Sequence, residues 1–340
     1  MTVKNYFIRC DSGFEIGIGH VMRCFSLAET LADMKCDVSF ICKEHEGNII
    51  DFLVGKKIKV FKINDENNIV DILKKNLNSS LIIDNYEIDE EIEKMIRPYV
   101  KEIIVIDDLA NRKHDCDLLL DQSFFINNSD RYNEFVPEYC MRLFGPEYAL
   151  LRREFLENRK NKKINFPVKN IFVSYGGIDP TDETSKVLIA LRNLKDENLK
   201  INVIVGNTNI QKAKIKELCS SIINANFIST YDDISKIMIE ADLAFGAGGS
   251  STWERMCLGI PSIVTIVSKD QIHSTEALSE NYYVINMGLA ENVTSNDYEK
   301  ILSEIDSERL NEISKRSYEL VDGKGTIRMA EQIINLEKIQ

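Results

Sequence analysis

Short β-branched and apolar runs alternate with amphipathic stretches along the whole chain, a rhythm that confines it to βα units built around parallel sheets. In the first half the strand-like runs are YFIRC, DVSFIC, KVFKI, LIIDN, EIIVIDD and DLLLDQ, with a helix predicted over 20–35. In the second half they are NIFVSYGG, KINVIVG, NFIST, DLAFGAGG and PSIVTIV, separated by helices over 182–194, 210–223, 232–240 and from Ser251 onward. Residues 296–340 are helical by periodicity. The polar stretch ENRKNKKINFPVKN interrupts the rhythm and reads as a boundary. The expectation is a Rossmann-like domain over 1–157, a linker over 158–168 and a second Rossmann-like domain over 169–340, closed by the C-terminal helices. No repeat of fixed period is present, which disfavours a solenoid.

With 54 acidic against 42 basic side chains and a net charge of −12, the chain repels phosphate backbones and anionic lipid, so neither nucleic acid nor membrane is an expected partner. The longest apolar run, 261–267, falls far short of the roughly 18 residues of a span. Lys4, Arg9 and Asp11 break any signal-peptide core, so a cytoplasmic location is expected; a monomer is expected as well. The 8 cysteines show no CxxC spacing and read as free thiols rather than zinc ligands.

Four predicted strands end in Asp11, Asp84-Asn85, Asp107-Asp108 and Asp121, and in open α/β sheets ligands bind at the carboxyl ends of the strands. The segment RCDSGFEIGIGHVMRC runs from such a strand through Gly17 and Gly19 into a helix. His20 would sit at that helix's N-terminus, where the dipole favours a neutral ring able to accept a proton. The segment is no dinucleotide fingerprint, because Met22 stands where the third glycine is needed. Arg23 reads best as a surface residue on spacing alone.

The segment AFGAGGSSTWERMCLGIPSI offers Gly248 and Gly249 after a strand, then Ser250, Ser251 and Thr252, whose hydroxyls and neighbouring N–H groups suit a diphosphate. Glu254 in the first turn is either a capping acid or an acceptor for ribose hydroxyls. Gly176 and Gly177 form another strand-end turn. Arg9, Asp11, Tyr86 and Asp108 are candidates for binding a sugar or orienting His20.

Six motifs, RCDSGFEIGIGHVMR, LIIDNYEID, VIDDLANRKHDCDLLLDQ, LFGPEYALLRREF, VSYGGIDP and GAGGSSTWERMCLGIPSI, occur in an order that resembles the UDP-sugar hydrolases of pseudaminic acid biosynthesis. The resemblance implies a glycosyltransferase-B architecture, with two Rossmann-like domains whose parallel sheets face an interdomain cleft. It implies hydrolysis of UDP-2,4-diacetamido-2,4,6-trideoxy-β-L-altropyranose to UDP and the free sugar; no cofactor is expected, and no metal, because residues 246–252 contain no acid. It places the essential histidine at His20 and the UDP loop at Gly248, Gly249, Ser250, Ser251 and Glu254, with Thr252 beside them. It keeps Gln271 as a substrate contact, beside Arg9, Asp11, Gly17, Gly19, Tyr86, Asp108, Gly176 and Gly177, which are expected there from their places at strand ends and turns. Where the family pattern reads Asn-Gln, this chain has Asp270-Gln271. A glycosyltransferase using the same UDP loop, a UDP-sugar 2-epimerase and a non-catalytic nucleotide-sugar binder are the alternatives.

Overall fold

The computed structural model describes residues 3–126, 130–162, 164–229 and 233–336, and its chain divides into two units. Each is built on a wholly parallel sheet, as the alternating pattern requires.

The first unit comprises residues 1–152 and 324–340. Its seven strands are β1 (Asn5–Cys10), β2 (Asp37–Lys43), β3 (Lys59–Ile63), β4 (Ser79–Asp84), β5 (Ile103–Ile106), β6 (Leu118–Asp121) and β7 (Met141–Phe144), in the order β3-β2-β1-β4-β5-β6-β7. Side chains alternate across the pleat. Tyr6, Ile8 and Cys10 of β1 and Ile82 of β4 therefore pack into a core with α1 (Gly19–Asp33), while Phe7, Leu81 and Ile83 pack into another on the opposite face. The chain reverses direction across the sheet between β1 and β4, and that switch point opens the crevice at their carboxyl ends.

The second unit spans residues 153–323. Its strands are β8 (Asn170–Ser174), β9 (Lys200–Ile204), β10 (Ala225–Ile228), β11 (Leu243–Ala247), β12 (Ser262–Ile266) and β13 (Ile285–Leu289), in the order β10-β9-β8-β11-β12-β13. Its switch point lies between β8 and β11, where Gly246 pairs in register with Ser174.

The boundaries differ from the sequence expectation in two places. The C-terminal helix (Gly325–Leu336) was assigned to the second domain, yet its buried Met329, Ala330, Ile333 and Leu336 join the core around α1 of the first unit. Thr326 fixes it there, accepting from the Leu151 N–H at 2.9 Å and donating back to the Leu151 carbonyl at 2.9 Å. The expected linker at 158–168 begins inside a helix (Arg153–Arg159) that belongs to the second unit, because Phe155 is buried and Arg159 donates to the carbonyls of Cys257 and Val321. The helix expected over 232–240 covers Ile234–Met238, and Asp232 lies outside the described residues.

Candidate functional site

At the β1/β4 switch point, register sets Asp84 opposite Cys10, beside the start of α1. The helix begins at Gly19 with no side-chain cap, so its first N–H groups stay open to the crevice. His20 directs Nδ1 at Asp84 Oδ1, 2.6 Å away. A carboxylate can only accept, so Nδ1 carries a proton, and in the neutral ring that tautomer leaves the lone pair on Nε2. Arg23 grips the same carboxylate through Nε at 2.7 Å and Nη2 at 2.6 Å, and reaches Asp108 through Nη1 at 3.1 Å. Tyr86 donates its hydroxyl to the other Asp108 oxygen at 2.6 Å and packs edge-on against the His20 ring, with centroids 4.8 Å apart.

Burial alone would raise the Asp84 carboxyl, but Arg23 and then His20 outweigh it and hold the group well below the usual carboxylate range. Burial, reinforced by Asp108, pushes the Tyr86 phenol far above its ordinary value, which keeps it a donor. Burial likewise pushes the Cys24 thiol up to about 11, and it donates to Asp84 Oδ2 at 3.3 Å. The result is a histidine of fixed tautomer backed by a buried carboxylate, an arrangement suited to accepting a proton from a nucleophile.

The remaining first-unit candidates divide by burial. Arg9 is wholly enclosed, bonded to Asp11 at 2.6 Å and to Glu66 through Nε at 3.0 Å and Nη2 at 2.8 Å. Asp11 also accepts from the Lys43 N–H and from Asn85. Both were expected as substrate contacts, and their polar atoms are instead engaged internally, bracing the ends of β1 and β2. Gly17 has φ +79° and closes a small loop by exchanging hydrogen bonds with Gly13. Arg23, expected at the surface, is buried, because the Asp84 and Asp108 carboxylates draw it inward. Asp84 itself was noted only as a strand-end acid. Its position four residues into an apolar run was the available signal.

In the second unit, β11 runs into Gly248, Gly249 and Ser250, and a helix follows over Ser251–Cys257. Among the described residues, the N–H groups of Gly249, Ser250 and Ser251 have no intramolecular acceptor. Gly248 is obligatory, because a Cβ there would come within 2.2 Å of Thr275 Oγ1. Gln271 supports the turn, its Oε1 accepting from the N–H groups of Gly248 and Val267, both at 3.2 Å. Asp270 is exposed. Thr252 was expected at the nucleotide, but its hydroxyl is buried and donates to the Ala247 carbonyl at 3.2 Å, so it serves the loop itself. Glu254 is half-buried in the first turn. Gly176, with φ +84°, and Gly177 form the turn after β8, and Thr208 donates to the Gly177 carbonyl at 3.2 Å.

Sequence reasoning passed over Arg255. It is fully buried behind the loop and bonded to Ala247, Ser251, Thr252 and Ser262. Burial lowers its guanidinium to about 10.

MurG of Acinetobacter baumannii matches this structure with a TM-score of 0.70 at 11% identity, over 98% of this chain and 100% of that one. TcCGT1, solved in complex with UDP, matches with a TM-score of 0.65 at 10% identity over the full length of both. The fold is glycosyltransferase-B. Residues 181–326 of this glycosyltransferase-B chain match the family model of the Glycosyltransferase family 28 C-terminal domain. Among curated proteins, an uncharacterized protein of Methanocaldococcus jannaschii is 27% identical over 96% of the chain, which spans only 65% of that longer protein. The spore coat polysaccharide biosynthesis protein SpsG of Bacillus subtilis is 26% identical over 95% of both chains. The UDP-2,4-diacetamido-2,4,6-trideoxy-beta-L-altropyranose hydrolase of Campylobacter jejuni is 28% identical over 74% of this chain and 87% of its own. The resemblance read from the six motifs is borne out by this relative over 74% of the chain.

Proposed function

We propose that this protein hydrolyses UDP-2,4-diacetamido-2,4,6-trideoxy-β-L-altropyranose to UDP and the free sugar. The observation that carries the proposal is the His20–Asp84 pair, with Nδ1 held at 2.6 Å and Nε2 left as a proton acceptor at a sheet switch point. In the proposed reaction Nε2 of His20 takes a proton from water as the oxygen attacks C1. The bond from C1 to the diphosphate oxygen breaks, and UDP carries off the electron pair. A diphosphate leaves as a stable anion, so no acid is required opposite the base, unlike in glycosidases that expel an alkoxide. Attack from the face opposite UDP inverts the anomeric centre.

The proposal gives Gly248, Gly249, Ser250 and Ser251 the diphosphate and Glu254 the ribose. It gives Tyr86 and Asp108 contacts to the sugar, while Asp84 and Arg23 position His20. A monomer acting in the cytoplasm completes it. The curated relative from Campylobacter jejuni supports this reading. A second reading, a UDP-sugar glycosyltransferase, is favoured by the family 28 match and by the likeness to MurG.

An NMR time course in ¹⁸O-water, with the UDP-linked altropyranose beside UDP-N-acetylglucosamine, separates them. The proposal requires UDP release without any acceptor and label in the sugar alone. Release only on addition of an acceptor hydroxyl would replace hydrolysis with transfer. Binding without turnover under either condition would leave a nucleotide-sugar binder.

A further inference from the structure

Arg255 is a buried cation whose hydrogen bonds all end on uncharged oxygens. Nε donates to Ser262 Oγ at 3.2 Å, Nη1 to Ser251 Oγ at 2.9 Å, and Nη2 to the Ala247 carbonyl at 2.8 Å and to Thr252 Oγ1 at 3.0 Å. Buried charges are ordinarily paired, since leaving water without a counter-charge is costly. Elsewhere in this protein the rule holds: Arg9 and Arg23 are equally enclosed, and each meets two carboxylates. Arg255 departs from it directly behind the turn at residues 248–251.

A guanidinium has no acceptor, so the oxygens of Ser251 and Thr252 must both accept from it. Thr252 then passes its own hydrogen to the Ala247 carbonyl. The hydroxyl hydrogen of half-buried Ser251 has no acceptor among the described residues. A second hydroxyl is in the same position: Thr275 is 1% exposed, and its Oγ1 has no hydrogen-bond partner among the described residues while it abuts Gly248. Two hydroxyl hydrogens without acceptors thus converge on one turn, beside a cation whose hydrogen bonds all go to uncharged oxygens and on which Glu254 acts without a hydrogen bond. Together they form a site suited to an anion.

We propose that Arg255 is a positioning residue for a bound diphosphate, fixing Ser251 as a donor to it and supplying, with Thr275, the positive charge and second hydroxyl that the turn needs. This rests on reading residues 248–254 as the UDP loop, and it goes further by naming what makes that loop selective for charge. Backbone N–H groups alone would accept any small anion. A fixed donor backed by a buried cation favours the more highly charged ligand.

The test is titration calorimetry of the full chain with UDP and with uridine. Ser251→Ala should weaken UDP about 10- to 100-fold, the size of a hydrogen bond to a charged group, and leave uridine within threefold. Thr275→Val should act in the same direction. In an Arg255→Lys background, Ser251→Ala should weaken UDP by less than threefold more, because the donor it removes is no longer held. Equal UDP affinity of Ser251→Ala and wild type overturns the proposal while leaving the UDP loop intact. Equal losses for UDP and uridine overturn it too, since they mark a merely structural serine. Wild-type protein that binds no UDP overturns the UDP-loop reading itself. Arg255→Lys is destabilising by design, so the Ser251→Ala comparison decides the matter should that variant fail to fold.

Discussion

Replacing Asp84 with asparagine removes the charge behind His20 while keeping the shape of the side chain. The Asp84 oxygen lies 2.6 Å from His20 Nδ1. With charge centres about 4 Å apart and an effective dielectric near 20, a ring that takes up a proton gains about 4 kcal/mol from the carboxylate. That charge develops only as water is deprotonated, so the loss falls on kcat and leaves KM nearly unchanged. At about 1.4 kcal/mol per tenfold, the full figure would be about three orders of magnitude. Arg23 draws on the same carboxylate through two hydrogen bonds, which reduces the expectation to about 10²- to 10³-fold. Asparagine also leaves Arg23 with Asp108 alone, a lost buried partner that costs about 3 kcal/mol of stability. The assay is therefore UDP release at saturating substrate, run well below a melting temperature measured on the same preparation. A folded Asp84→Asn variant with kcat within threefold of wild type would refute the role assigned to the pair.

Glu254→Ala should weaken UDP binding by about 1.5–3 kcal/mol if the carboxylate accepts from ribose hydroxyls, and calorimetry showing unchanged affinity would return Glu254 to capping. Burial raises the Asp121 carboxyl from 3.8 to about 6, so the folded state is penalised progressively as pH rises from about 4 to about 6. Asp121→Asn should accordingly be more stable than wild type above pH 6, by about 3 kcal/mol for a shift of roughly two units, with the advantage gone below pH 4; denaturant titrations showing a constant difference across that range would contradict the assignment. Because residues 246–252 contain no acid to ligate a divalent cation, UDP release should run at full rate after EDTA treatment and dialysis. Activity lost on chelation and restored by Mg²⁺ or Mn²⁺ would remove the basis for an anion site made of N–H groups, hydroxyls and Arg255.

The strands and the two glycine turns were legible because burial on both faces of a parallel sheet forces near-continuous apolar runs. LIIDN and DLAFGAGG announce both a central strand and its polar end. The two strands that escaped, β7 (MRLF) and β13 (INMGL), each lie at one edge of their sheets, where one side is unpaired and Arg142 or Asn286 interrupts the apolar run. The amphipathic pattern of the C-terminal helix was equally plain, but periodicity reports that a helix has an apolar face and not which core receives it. The charged residues were the hardest to read. Arg23 and Arg255 each sit on a helix at a spacing indistinguishable from surface placement, and what buries them lies far along the chain or in the backbone: Asp84 and Asp108 for the first, the Ala247 carbonyl and Ser262 for the second.

These two arginines are held differently in the two units. At the β1/β4 switch point the cation Arg23 meets two carboxylates, Asp84 and Asp108, and Asp84 also holds Nδ1 of His20. Such a pocket suits an uncharged ligand portion and a proton transfer. At the β8/β11 switch point the cation donates only to uncharged oxygens beneath a turn of open N–H groups, which suits a ligand that brings its own negative charge. The overall charge of −12 sharpens the argument: a chain that repels anions in bulk can retain one only where donors and positive charge converge locally, as the open N–H groups and Arg255 do behind this turn.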